Sequence, residues 1–171
     1  MTPEFSRRID IRNLPGGTLK LEADAAERAA LAERIGIESI EQLDAEASFV
    51  RTGTTVDVSG RIKAAVTQLC SISNEPFRVS IDESLVLRFV PGVVSHQPDE
   101  EIEIDSEACD EIPYEGTQFD LGEEIAQSLA LAIDPYATGP NADRVRKEAG
   151  LSDEASSGPF AALAALKREA T

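Results

Sequence analysis

The chain has 171 residues, a formal net charge of −16 and no tryptophan. No apolar run approaches the length of a membrane span, and two cysteines are too few for a disulfide framework in a chain of this length. These features predict a cytoplasmic protein with an aliphatic core, and they count against a membrane protein or a disulfide-rich secreted one.

Acidic residues concentrate in the second half of the chain. Residues 1–97 hold 14 acidic against 11 basic side chains, whereas residues 98–171 hold 18 against 5. A protein that binds nucleic acid through phosphates needs a basic surface, and the overall composition does not supply one. The acidic half would instead attract a basic protein or peptide.

The first third of the chain predicts short strands around one helix. Alternating apolar residues predict a strand over residues 5–11, and a short extended segment follows at 19–21. Asp24 as N-cap and Glu27 three residues later form a capping box, which predicts a helix over residues 24–35. Residues 39–43 predict a turn, and residues 47–51 a strand that leads into a hairpin connection at 52–54.

Residues 56–89 carry the clearest pattern in the sequence. Apolar or small residues occupy the even positions from Val56 to Val66. After turn residues at 74–76, the apolar residues occupy odd positions from Phe77 to Phe89. Because side chains alternate between the two faces of a strand, this pattern predicts two long antiparallel strands that cover one core.

The remaining chain predicts one strong helix and a polar tail. Residues 101–105 are read as a charged edge strand or a solvated loop. Asp120 and Glu123 begin a helix that ends at Asp134, with a stripe of apolar residues at spacing four. Residues 137–158 predict a flexible linker. Residues 159–171 predict a short helix, marginal on its own, that docks on the domain or on a partner, and the linker favours a partner.

The predicted fold class is therefore α+β. An antiparallel sheet, open or barrel-like, carries the helices at 24–35 and 120–134, and a flexible C-terminal tail ends in a short helix. The predicted organisation is a single domain over residues 1–136, a linker over 137–158 and a terminal helix over 159–171.

The sequence offers no constellation for catalysis. His96 is the single histidine, and together with Cys70 and Cys109 it gives three potential zinc ligands at unsuitable spacing. Phosphate-binding loops, nucleophile elbows and zinc-protease motifs are absent. We therefore predict no catalytic residue, metal, cofactor or small-molecule substrate.

The polar face of the central strands allows two interpretations. Arg61, Lys63, Arg78 and Arg88 could form a small basic patch for nucleic acid. Alternatively, this face is simply solvated and carries cross-strand charge pairs, for instance to Asp57 or Asp82. Composition alone favours the second interpretation.

Four ordered segments resemble a known family. Residues 58–70 (VSGRIKAAVTQLC), followed by Asn74-Glu75-Pro76-Phe77, resemble the core motif of the YceD-like large ribosomal RNA subunit accumulation proteins. Residues 5–7 with the helix at 27–32 are similar to the alphaproteobacterial type of N-terminus. Residues 119–136 resemble the second block of the family, and residues 159–167 its terminal motif.

This resemblance implies a non-enzymatic factor that supports 23S rRNA accumulation and large-subunit assembly. No catalytic residue is carried over. Many relatives have a Cys-x-x-Cys at the central block, whereas this chain reads Cys70-Ser71-Ile72-Ser73 and has no cysteine after Cys109. This departure predicts that no metal is bound here.

The resulting hypothesis is a binding protein with two sets of contact residues. The four basic residues of the polar face would contact large-subunit rRNA or a pre-ribosomal particle. A basic ribosomal protein would be bound by a second set: Glu100, Glu101, Glu103, Phe160 and Leu163. The alternative is an acidic chaperone or adaptor for a basic protein, with no RNA contact.

Overall fold

A computed structural model describes residues 4–92 and 111–150 of the chain. In chain order these residues form β1 (Arg8–Asp10), β2 (Leu19–Glu22), α1 (Ala25–Ile35), β3 (Ser39–Thr52), β4 (Thr55–Leu69), β5 (Pro76–Pro91), β6 (Glu111–Tyr114), β7 (Gln118–Asp120), α2 (Leu121–Ala132) and α3 (Ala142–Glu148). Within these ranges, every helix is too short or too polar to cross a membrane.

The strands form one five-stranded sheet and one small ribbon. The sheet has the order β2-β3-β4-β5-β6, and all its pairs are antiparallel except β5 with β6. Strands β1 and β7 pair separately as an antiparallel ribbon. The α+β prediction is confirmed, and within the described residues the sheet is open rather than a closed barrel.

The long strands β4 and β5 confirm the alternation seen in the sequence. Val56, Val58, Ile62 and Val66 of β4 are buried. The facing strand β5 buries Ile81, Leu85 and Phe89 from its odd positions. Each of these side chains removes apolar surface from water, so together they form the main face of an aliphatic core.

Strand β3 is much longer than predicted. The prediction of a turn over residues 39–43 was wrong, because these residues extend β3 and pair with β4 as far as Ser39↔Thr67. A bulge between Ile40 and Gln42 shifts the register there. The bulge breaks the period-two alternation that would have identified the strand from the sequence.

The two predicted helices pack on the sheet and begin as predicted. Asp24 caps α1 in a complete capping box with Glu27, and Gly36 ends the helix at φ 80°. Asp120 caps α2 by accepting hydrogen bonds from the backbone N–H groups of Gly122 and Glu123. The Glu123 carboxylate, however, bonds to the Arg34 guanidinium across the helix pair, at 2.6 and 2.9 Å.

The start of the chain is attached to α2 through Asp120. Its carboxylate accepts hydrogen bonds from the Ser6 hydroxyl (2.5 Å) and the Arg7 backbone N–H (2.7 Å), in addition to the two bonds of the helix cap. Arg7 in turn forms a bidentate pair with Glu27 at the beginning of α1. These contacts connect the N-terminal segment to both helices.

Residues 137–150 contain structure that the sequence pattern did not predict. Within the segment interpreted as a linker, α3 lies beside the β4–β5 turn: Asn141 donates to the Glu75 carboxylate at 2.7 Å, and the Ala137 carbonyl accepts from the Ser71 N–H at 3.1 Å. The α3 sequence is polar and short, and for that reason its apolar periodicity is weak. Residues 151–171, including the predicted terminal helix, lie outside the described ranges.

A glycine in β4 is required by the close approach of two backbones. A Cβ atom built on Gly60 would lie 1.8 Å from the carbonyl oxygen of Glu46 in β3, far below any normal contact. We expect Gly60→Ala to lower the free energy of unfolding by about 1–3 kcal/mol or more, because the backbone must shift to relieve the overlap. Urea unfolding followed by circular dichroism measures this.

Gly16→Ala is the matched control for this glycine substitution. A Cβ on Gly16 would have no neighbour within 4 Å, and the residue does not have a positive φ. Its urea midpoint should therefore stay close to that of the wild type. Equal midpoints for the two variants would contradict the close approach at Gly60.

Removal of the Asp120 carboxylate should destabilise the protein more than loss of a helix cap alone. Asp120→Ala removes the cap of α2 and also leaves the Arg7 backbone N–H without its partner. We expect a loss of about 3 kcal/mol, against about 1 kcal/mol for Asp24→Ala at α1. Thermal unfolding of both variants tests this order, and a larger loss for Asp24→Ala would refute the role given to Asp120.

Candidate binding surface on the sheet

The exposed side of the sheet is the surface on which the predicted rRNA-binding residues lie. We call this side of β2–β5 the outer face; it is opposite the core. The strand register places residues in rows across it, for example Lys20↔Glu46↔Arg61 and Asp44↔Lys63↔Asp82. The register and the period-two alternation together determine which side chains are neighbours here.

Two of the four predicted bases form cross-strand ion pairs. The Arg61 guanidinium contacts the Asp82 carboxylate, and the Arg88 guanidinium donates to Asp57 at 2.8 Å. The hydrogen bond from Arg61 lowers the pKa of Asp82, and the same bond raises the pKa of Arg61. All four side chains are about half exposed, so solvent screens these pairs and they add little to stability.

The other two predicted bases have weaker electrostatic neighbours. Lys63 stands in register between Asp44 and Asp82. Arg78 lies opposite Thr67, and its charge contributes to the lowered pKa of Glu41. Within residues 4–92 and 111–150, neither base has a carboxylate oxygen within 4 Å.

The four bases share one face but do not form one cluster. Arg78 and Arg88 are ten positions apart along β5, which corresponds to roughly 33 Å of extended strand. Arg61 and Lys63 lie between them on β4 and border a shallow depression of about 410 Å³. Four charged residues of β2 and β3 also line the depression: Lys20, Glu22, Asp44 and Glu46.

The carboxylates of β2 and β3 were not identified from the sequence. Glu46 forms an ion pair with Lys20 at 3.1 Å and lies beside Arg61. Odd-numbered apolar residues in β3, such as Leu43, Ala45 and Ala47, would have revealed this polar alternation. The bulge near Glu41 and the low hydrophobicity of alanine concealed it.

An apolar spot adjoins the Arg88–Asp57 pair. Val50 of β3 and Val86 of β5 are 61% and 76% exposed, and both point from the outer face. With Asp57, Ser59 and Arg88 they line a second shallow depression, of about 450 Å³. This end of the face therefore combines exposed apolar surface with an ion pair.

The predicted partner contacts cannot be placed on this surface. Glu100, Glu101, Glu103, Phe160 and Leu163 all lie outside the described residues.

Cys70, by contrast, is described: its thiol is buried, and hydrogen bonds from Ser73 lower its pKa to about 7. Within the described ranges, no group of three histidine, cysteine or acidic residues is arranged to hold a metal ion.

Fold and surface together define a small α+β protein built on a long antiparallel meander, β3-β4-β5, with a charged outer face. A family model described as large ribosomal RNA subunit accumulation protein YceD matches residues 58–167, and the chain belongs to this family. No curated protein and no solved structure gives a significant match.

Membership confirms the resemblance seen in the sequence. It supports a role in the accumulation of large-subunit ribosomal RNA. The match begins at Val58, so the similarity of residues 5–7 and 27–32 to the alphaproteobacterial type stays a prediction.

Proposed function

We propose that this protein supports 23S rRNA accumulation and large-subunit assembly as a non-enzymatic factor that binds a basic ribosomal protein. The family membership supports a role in rRNA accumulation, and the charge distribution favours a basic partner. A chain of net charge −16 attracts basic proteins, many of which bind rRNA, and it repels free phosphate backbone.

The observation that carries this proposal is charge compensation on the outer face. Asp82 engages Arg61 and Asp57 engages Arg88, while Asp44 and Glu46 stand in the neighbouring rows. An RNA phosphate would have to displace or oppose these carboxylates. A protein surface that offers both signs of charge can match them, and such complementarity confers specificity.

The acidic stretch between β5 and β6 adds to the attraction. Residues 93–110 contain seven acidic residues, among them Glu100, Glu101 and Glu103, and no lysine or arginine. Lysine- and arginine-rich extensions of a ribosomal protein are the natural complement to such a segment. We assign these three glutamates to the partner contact.

The chemistry of the described carboxyl groups also favours binding over catalysis. Glu124 is the one described carboxyl with a raised pKa, which follows from burial and from the nearby Glu123 and Asp120. Both neighbours are already occupied: Glu123 pairs with Arg34, and Asp120 caps α2. Within residues 4–92 and 111–150, this arrangement leaves no partner beside Glu124 for general acid–base work.

Direct rRNA contact is the second candidate function. It is favoured by the placement of Arg61, Lys63, Arg78 and Arg88 on a single exposed face. Lys63 and Arg78 could reach phosphates without breaking an ion pair within the described part of the chain. The spread of these bases along β5 would suit an extended single strand better than a compact site.

We expect the protein to retain a basic large-subunit protein after nuclease treatment. Affinity purification of the tagged full chain from nuclease-treated lysate, with quantitative mass spectrometry, measures this. Replacing Glu100, Glu101 and Glu103 by glutamine should lower the recovery of that protein at least about tenfold, because attraction by the acidic segment is lost.

A matched set of substitutions controls for the change in net charge. Glu33, Glu83 and Glu115 are exposed glutamates elsewhere, and their replacement by glutamine should leave the recovery unchanged. Loss of all ribosomal proteins on nuclease treatment would instead mean that RNA mediates the association, and would reject the proposed contact.

Binding to rRNA alone should be weak, and substitutions on the outer face should not change it. We expect purified protein to bind 23S rRNA fragments poorly even at low salt, where a true basic site is strongest. Filter binding over a salt series would measure this for the wild type and two fourfold variants. One variant replaces Arg61, Lys63, Arg78 and Arg88 by glutamate. The control variant replaces four basic residues elsewhere by glutamate: Arg8, Arg12, Arg144 and Lys147.

The two variants change the net charge equally, so they separate local from general electrostatics. Tight binding by the wild type that falls steeply with salt would overturn the protein-only proposal. If that binding is also lost in the outer-face variant but kept in the control, direct rRNA contact is established. The logarithm of the binding constant should then fall with the logarithm of the salt concentration, with a slope of about −0.7 to −0.9 per phosphate contacted.

A further inference from the structure

An apolar groove lies at the other side of the molecule, where the ends of both main helices meet the end of β4. Gly36, Gln68 and Ala130 line it together with six larger apolar residues: Ile35, Ile37, Leu69, Leu131, Ile133 and Pro135. Its volume is about 510 Å³, and a smaller depression of about 270 Å³ continues it between α1 and α2. We call the larger of the two, which the six apolar residues line, the terminal groove.

The terminal groove leaves large apolar side chains in water. Leu131 is 88% exposed and Leu69 is 42% exposed. A single exposed leucine needs no explanation, whereas a contiguous apolar depression indicates a surface that another segment covers.

We propose that residues 159–167 of the same chain occupy the terminal groove. The sequence predicts a helix there with Phe160, Leu163 and Leu166 at spacing three, so these side chains share one face. A helix this short is marginal in water and is stabilised when its apolar face is buried. The groove offers an apolar surface of the required kind.

The chain path makes this occupant accessible. Leu69 is the last residue of β4 and pairs with Pro76, and the adjacent Phe77 ring packs against Gly139 just before α3. Helix α3 therefore begins at the end of the sheet where the groove lies. The described chain ends at Gly150, and ten residues from there to Phe160 span up to roughly 33–36 Å.

Connection through the chain also favours this occupant over a separate protein. A short tether gives the segment an effective concentration in the millimolar range, so modest apolar burial suffices for docking. The family match covers residues 58–167 and thus includes both the β4 and α2 walls of the groove and the terminal stripe. This assigns Phe160 and Leu163 to an intramolecular contact rather than to a partner.

Disulfide trapping in the full chain tests the proposal. In a Cys70→Ala, Cys109→Ser background, Leu131→Cys combined with Leu163→Cys should form an intrachain disulfide at micromolar protein concentration, with a yield independent of concentration. The control pairs Leu163→Cys with Val86→Cys, which is similarly exposed but lies on the outer face. Non-reducing electrophoresis and peptide mapping should show no intrachain bond in the control.

Amide hydrogen exchange provides a second test that does not depend on disulfide formation. In the otherwise unmodified full chain, Phe160→Asp with Leu163→Asp should increase amide hydrogen exchange around residues 130–135 at least about tenfold, because the groove loses its cover. Unchanged exchange would overturn the proposal. A disulfide between the cysteines introduced by Leu131→Cys and Leu163→Cys that forms only between chains would also overturn it, because the occupant would then be a second copy. Equal disulfide yield for both cysteine pairs would overturn it as well.

Discussion

Both surfaces of the sheet depend on the register between β3, β4 and β5. Because side chains alternate along a strand, a slip of one residue would move every core valine to solvent and every charged residue into the core. Gly60 allows β3 and β4 to approach at their centre, where no other residue fits. Gly53, at φ 65°, then closes the two-residue turn between Thr52 and Thr55. The ion pairs of the outer face follow from this register rather than cause it, since they are half exposed and screened.

Helix α1 is attached to the rest of the molecule at both ends by arginine–glutamate pairs. Glu27 at its beginning binds Arg7, whose backbone N–H is bound by Asp120, and Arg34 at its end binds Glu123 of α2. The Arg34 interaction lowers the pKa of Glu123, as expected for a carboxylate held beside a guanidinium. The Arg34–Glu123 pair joins the end of α1 to the beginning of α2, whereas the terminal groove is lined by residues at the C-terminal ends of both helices. The orientation of the helices thus results from specific polar contacts, whereas their burial results from the core.

Local chemistry and the pairing of the consecutive strands β4 and β5 were predictable from this sequence, whereas the pairing of the short strands was not. The caps at Asp24 and Asp120 and the alternation of β4 and β5 depend on neighbouring residues, so the sequence pattern shows them directly. Strands β6 and β7 have four and three residues, too few for a periodic signal, and β6 forms only by pairing with β5. The outer face was predictable only in part, for a related reason: the cross-strand partners Asp57 and Asp82 were named from the sequence, whereas Asp44 and Glu46 were not. Arg61 and Lys63 are visible as bases, but their compensation by Asp44 and Glu46 requires the register of a strand that a bulge had hidden.

The distribution of polarity over the outer face bears on how a partner would be selected. Its centre is a row of opposite charges, which contributes little binding energy because each charge already has solvent and a neighbour. Its end near the β3–β4 turn instead exposes Val50 and Val86 beside the Arg88–Asp57 pair. Interfaces obtain most of their energy from a few apolar or aromatic anchors, while the surrounding polar groups determine orientation. A basic protein with an apolar side chain at the centre of its contact would therefore be held at this end and oriented by the charged rows, whereas a bare phosphate chain would gain nothing from the valines and would be opposed by the carboxylates of the rows.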